Sequence, residues 1–124
     1  MVVTTNMFGD ILTDEAASLV GGLGMAPGLC AGPPHAMAQA THGSALDISG
    51  RNIANPYAMI MSGGMLLDWL GRHQDNAAAI EAGASIERAS QHVIAQGCAL
   101  TPDLGGNGTT SRMGDAIAEA VSAD

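Results

Sequence analysis

The stretch ATHGSALDISGRNIANP, residues 40–56, decides how this chain is put together. Residues 42–54 have the Gly, Ser, Asp and Asn content of an ordered loop. Before them AMAQAT, residues 36–41, is long enough for a strand. After them Asn55 and Pro56 form an N-cap and first-turn pair, so a helix starts near Tyr57. A strand, a shaped loop and a helix in succession set the fold class as α/β.

Working outward to the C-terminal side, the helix runs over 57–70 with Gly71 as its stop. Its segment MIMSGGMLLDWL is apolar nearly all round, the pattern of a central helix. A second long helix spans 76–96 and ends at Gly97. TPDLGGNGTT, residues 101–110, is a glycine-bearing loop with a turn built on Asn107 and Gly108. Ser111 caps a final helix on which Met113, Ile117, Ala120 and Val121 make one stripe.

Towards the N-terminus, GGLGMAPG lies in a Gly- and Pro-rich stretch, residues 21–34, that reads as an irregular loop. The β-branched run VVTT, residues 2–5, opens as a strand, and Asn6 caps a helix with Phe8, Ile11, Leu12, Ala16 and Leu19 on one buried face. The resulting picture is few strands flanked by about four helices. Two strands make a marginal sheet by themselves, so further strands must come from elsewhere.

Composition limits the function. The chain has 124 residues, no lysine, four basic residues against twelve acids and a net charge of −8, which repels nucleic acid and anionic membrane surfaces. No run approaches the roughly 18 apolar residues of a membrane span, and no basic-then-apolar leader opens the chain, so a cytoplasmic protein is expected. With 47% hydrophobic residues but one each of Phe, Tyr and Trp, the core is built from Ala, Leu, Ile, Val and eight Met. Cys30 and Cys98 stand in no metal or redox spacing and are expected as free, buried thiols.

Among chemistry-bearing residues, Asp10 and Asp14 project from one helix face a turn apart, close enough to share a hard cation. Spacing alone favours two solvated acids, although Gly9 beside Asp10 would suit a close approach of backbone or ligand. In HGSALD, Gly43 and Ser44 offer backbone amides to an anion and Asp47 can accept from a pair of hydroxyls. His42, a lone His beside Gly, reads more readily as a hydrogen-bonded loop residue than as a ligand. His35, His73 and His92 lack partner spacing and read as surface or structural. The three-glycine dinucleotide fingerprint is broken in GGLGMAPG by Pro27, the absence of lysine excludes a Walker-type phosphate loop, and no G-x-S-x-G elbow occurs.

Taken together, TTNMFGDILTDEAA (residues 4–17), GGLGMAPG, ATHGSALDISGRNIANP and TPDLGGNGTTSRMGDAI (residues 101–117) resemble consecutive motifs of the β-decarboxylating dehydrogenases. This family includes isocitrate, 3-isopropylmalate, homoisocitrate and tartrate dehydrogenases, and the chain looks most like its 3-isopropylmalate dehydrogenase-like members. The resemblance implies a partial isopropylmalate dehydrogenase-like α/β fold. It also implies that Asp10 and Asp14 hold Mg²⁺ or Mn²⁺ against a small 2-hydroxy-acid substrate. His42, Gly43, Ser44, Ala45, Asp47 and Ile48 correspond to the loop that binds the adenosine half of the cofactor, and Asn55 to a residue contacting adenine. A carboxylate at Asp47 accepts from the ribose hydroxyls of NAD and repels the 2′-phosphate of NADP. The basic and phenolic residues of NADP-specific relatives are missing at Asp47, Ile48, Pro102 and Gly106, so NAD is the expected cofactor.

Two substitutions depart from the family pattern: Leu46 replaces a usual Pro, loosening the loop's backbone preference, and Gln39 replaces a common Glu. The larger departure is length, since the resemblance covers roughly the family's C-terminal third. Residues 1–22 then correspond to the end of the small metal-binding and dimerisation domain, and residues 23–124 to the C-terminal part of the cofactor-binding domain. The substrate-gripping arginines, the proton-moving Tyr and Lys and a third metal-binding Asp fall outside this segment, which leaves it no catalytic residue. A homodimer or association with a full-length relative is implied, and the segment alone is expected to be inactive and prone to self-association. The alternative is a non-catalytic subunit or nucleotide-binding remnant.

Overall fold

The computed structural model describes residues 2–124. Along the chain come α1 (Asn6–Leu19), a 3₁₀ turn (Leu23–Met25), β1 (Pro27–Ala31), β2 (Ala36–Ala40), a second 3₁₀ turn (Leu46–Ile48), α2 (Tyr57–His73), α3 (Ala77–Gln96), a third 3₁₀ turn (Pro102–Leu104) and α4 (Thr110–Ser122). The α/β class and four-helix content expected from the sequence are present. β1 and β2 pair antiparallel, from Pro27 opposite Ala40 to Ala31 opposite Ala36.

α2 is central, as its all-round apolar sequence requires: the hairpin packs on it and α3 lies along it, while α4 packs on α3. Ser62, fully buried on α2, joins the layers: its Oγ accepts from the Gly28 N–H at 3.1 Å and lies 2.9 Å from the Gln39 carbonyl and 2.7 Å from that of Ala58. Between α3 and α4 the core gathers Ala89, Val93, Ala99, Met113 and Ile117, so the predicted stripe of α4 faces inward. α1 makes its main contact with the turn Leu23–Met25. The face expected to be buried is open instead: Phe8, Ile11, Leu12 and Leu19 are exposed, as is Met7, because α1 packs within the chain mainly on that turn.

Several local expectations are corrected. Residues 2–5 form no strand, and Val2 and Val3 are each 83% exposed; β-branched side chains favour a strand only where a partner and a buried face exist. Thr5, not Asn6, is the N-cap of α1. The supposed loop 21–34 contains β1, with Pro27 at its first position, where a missing N–H is tolerated. α2 runs through Gly71 to His73. Gly71 is a packing residue: a Cβ there would lie 2.6 Å from Ile80 Cγ1. Thr109 caps α4 by accepting from the Arg112 N–H, displacing Ser111 from that role. Cys30 and Cys98 are free but exposed, not buried. The α3 boundaries behave as read: Asn76 accepts from the N–H groups of Ala78 and Ala79, and Gly97 closes the helix at φ 71°.

Candidate functional site

Loop 42–54 forms one side of a cleft of about 800 Å³. The other sides come from Gly24 in the first 3₁₀ turn, Asn55 at the start of α2, Asp103 in the third 3₁₀ turn and Thr110 at the start of α4. The loop is shaped by three left-handed residues, Ala45 (φ 42°), Gly50 (φ 75°) and Asn52 (φ 55°). For alanine this region costs about 1–2 kcal/mol. A proline at position 46 would disfavour it by pushing its predecessor towards extended backbone, so Leu46 is compatible with the loop seen here. His42 Nδ1 donates to the Gly43 carbonyl at 2.9 Å.

Two polar clusters fix the loop to the helices. Asn52 binds the start of α4: its carbonyl accepts from the Thr110 N–H at 3.0 Å, and its Oδ1 accepts from the Ser111 N–H and Oγ, each at 3.1 Å. Thr110 Oγ1 donates in return to the Ala54 carbonyl. Those N–H groups of α4 are thereby satisfied within the protein. In the second cluster Asn55, 8% exposed, accepts from the Tyr57 N–H through Oδ1 and donates through Nδ2 to Asp103 Oδ2, both at 2.9 Å. Asp103 Oδ1 accepts in turn from the hydroxyl of buried Thr101.

Of the seven residues expected at a cofactor loop, the structure brings His42, Gly43, Ser44, Ala45, Ile48 and Asn55 together around this cleft. Asp47 is exposed in the turn Leu46–Ile48 and is not part of the lining. Asp10 and Asp14 are exposed on α1, also outside the cleft. No group of three or more metal-ligating residues exists among the described residues. The cleft wall contains one carboxylate, Asp103, and no Arg. Sequence reading missed the roles of Gly24, Asn52, Asp103 and Thr110. The Asn and Asp content of their loops was the available signal, but the contacts span up to 59 residues, beyond any local spacing. His73 stacks on Trp69 with ring centroids 4.8 Å apart, in keeping with a structural role.

A family model described as Isocitrate/isopropylmalate dehydrogenase matches residues 1–117. The 3-isopropylmalate/3-methylmalate dehydrogenase of Methanocaldococcus jannaschii is 46% identical over 121 residues, which are 98% of this chain and 34% of that protein. The isocitrate/homoisocitrate dehydrogenase of Thermus thermophilus is 47% identical over 121 residues, again 98% of this chain and 34% of the relative. The crystal structure of isocitrate dehydrogenase from Methylococcus capsulatus superposes with a TM-score of 0.85 at 47% identity, covering 96% of this chain and 34% of that one. The chain therefore spans about a third of the length of these relatives.

Proposed function

Because this chain belongs to the isocitrate/isopropylmalate dehydrogenase family, we propose that it is the C-terminal part of an NAD- and divalent-metal-dependent oxidative decarboxylase. Its substrate is a small 2-hydroxy acid of the 3-isopropylmalate type, with isocitrate, homoisocitrate or tartrate as alternatives. The observation that carries this reading is the cleft around which six of the seven expected cofactor residues converge.

Its volume, about 800 Å³, lies within the roughly 300–1,000 Å³ of small-molecule sites, and its mixed polar and apolar wall suits a nucleoside. His42, Gly43, Ser44, Ala45 and Ile48 would hold the adenosine half of NAD, with Asn55 beside the adenine. Asn55 has its amide engaged at both ends, so it presents a fixed surface to a ligand. Asp47, exposed on the same loop, would accept from the ribose hydroxyls and disfavour a 2′-phosphate. With no Arg in the lining, phosphate groups would rely on backbone N–H donors.

Asp10 and Asp14 offer hard oxygen donors, which fit Mg²⁺ or Mn²⁺. Both are exposed on α1, and neither is tied up in an ion pair among the described residues. A divalent ion held by Asp10 and Asp14 would supply a Lewis acid for the substrate's 2-oxygen, and NAD held by the loop would supply the hydride acceptor that such an oxidative decarboxylation needs. This chain's part is to place the two ligands; the groups that move protons lie outside it. Residues 1–22 then belong to the metal-binding and dimerisation domain, and residues 23–124 to the cofactor-binding domain. The exposed Met7, Phe8, Ile11 and Leu12 support a homodimer or association with a full-length relative in the cytoplasm.

Calorimetric titration of the 124-residue chain with NADH tests the reading. Saturable binding is expected, weakened about tenfold or more in Asp47→Ala, the scale of one lost charge-assisted hydrogen bond. Mn²⁺ binding should fall in Asp10→Asn and Asp14→Asn. Absence of NADH binding, or equal binding in Asp47→Ala, would overturn the cofactor assignment.

A further inference from the structure

Three segments far apart in sequence meet at one wall of the cleft. Asp103 lies 48 residues from Asn55, yet its Oδ2 accepts the Asn55 amide at 2.9 Å. Its other oxygen accepts from Thr101, whose side chain is fully buried. The turn Leu23–Met25 closes over the pair: a Cβ on Gly24 would lie 3.0 Å from Asp103 Oδ2 and 3.2 Å from Asn55 Cβ. An ionised acceptor engaged on both oxygens makes a directional clamp, stronger than neutral hydrogen bonds.

The orientation of the buried Asn55 amide follows from its partners. The Tyr57 N–H requires an oxygen, and the Asp103 carboxylate requires an N–H, so only one of the two amide orientations satisfies both. Without the carboxylate, Nδ2 keeps only the weak acceptor Met25 Sδ at 3.6 Å.

We propose that Asp103 is a positioning residue of the nucleotide cleft: by clamping Asn55 and Thr101 it fixes the Asn55 amide and holds the turn Pro102–Leu104 against the start of α2. The inference rests on the nucleotide reading of the cleft. Asp103 acts through Asn55 and is not assigned a contact with reacting atoms.

The test compares wild type, D103A, D103N and the exchange variant N55D/D103N at a temperature where circular dichroism shows all four folded. D103N removes the charge but can keep both contacts as neutral hydrogen bonds, its amide oxygen accepting from Asn55 and its N–H₂ donating to the Thr101 hydroxyl. The exchange variant restores every hydrogen bond, because the carboxylate at position 55 accepts from both the Tyr57 N–H and the amide at position 103. NADH affinity should drop about tenfold in D103A and by less in D103N, while the exchange variant, which alters a residue of the cleft wall, is read by hydrogen exchange alone. D103A binding NADH like wild type would overturn the positioning role.

Amide hydrogen exchange over residues 42–57, measured without nucleotide, separates the two ideas. Faster exchange in D103A, a smaller increase in D103N and wild-type exchange in the double variant support the clamp. If wild type then binds no NADH, the nucleotide reading alone fails; unchanged exchange in D103A overturns the clamp itself.

Discussion

Replacing Gly83 with Ala and, separately, Gly114 with Ala makes one chemical change at two helical sites with opposite expected signs. In an open helix position the change is favourable by about 1 kcal/mol, since alanine loses less backbone entropy than glycine. Gly114 on α4 is such a position, because a Cβ there meets nothing within 4 Å. Gly83 on α3 is buried against α2: its Cβ would lie 2.7 Å from the Gly64 carbonyl oxygen and 3.2 Å from the Asp68 nitrogen, where ordinary contact begins near 3.4 Å. Both obstacles are backbone and cannot rotate aside, so the helices must part by several tenths of an ångström. Overpacking of this kind costs about 1–3 kcal/mol, and the rigid obstacle places it in the upper part of that range. After the propensity gain, Gly83→Ala should be destabilising by about 1–2 kcal/mol and Gly114→Ala stabilising by about 0.5–1 kcal/mol. For a chain of 124 residues each kcal/mol moves Tm by about 3–6 °C. Thermal melts followed by far-UV circular dichroism should therefore place wild type between the variants, with Gly83→Ala lowest. A Gly83→Ala chain melting at or above wild type would refute the close crossing of α2 and α3.

Ser62→Ala should cost about 1–3 kcal/mol in urea unfolding, since it leaves the Gly28 N–H without its Oγ acceptor beneath the hairpin; unchanged stability would show that the hydroxyl does not join hairpin to helix. Tyr57 has its phenol pKa raised above 10.0, first by burial and then by the negative charge of Glu87. The unfolded chain ionises first, so this contribution is fully present below about pH 10 and is lost as pH rises from there through the folded pKa. Tyr57→Phe should flatten the alkaline fall in unfolding free energy above about pH 10, and an identical pH profile would contradict the assignment.

The helices were legible where two independent signals agree. For α3, Asn76 and Gly97 bracket a long run free of Pro, and both act as read. Gly71 was misread because a glycine near a helix end serves either as a stop or as a point of close approach, and only the neighbouring Ile80 decides which. β1 escaped notice for a related reason. Pro27 and Gly28 are poor strand formers, and their extended conformation depends on pairing with β2 and on Ser62 from α2. VVTT shows the converse, strong local propensity without a partner.

Loop 42–55 was legible as a candidate site through its resemblance to the family's cofactor loop, a motif that stands in a single segment. Asp103 was not, since its meaning arises only when Asn55, Thr101 and Gly24 come within contact distance. Leu46 lies between these cases. In the sequence it is a loss of the proline expected from the resemblance, and hence a looser loop. In the structure it follows an alanine at φ 42° and ψ 60°, a conformation that a following proline disfavours. Ala45 lines the cleft, so its backbone angle helps to set the cleft's shape. The missing ring therefore does more than loosen the loop: it permits a left-handed turn at a wall residue, a conformation costing about 1–2 kcal/mol that the surrounding contacts must offset.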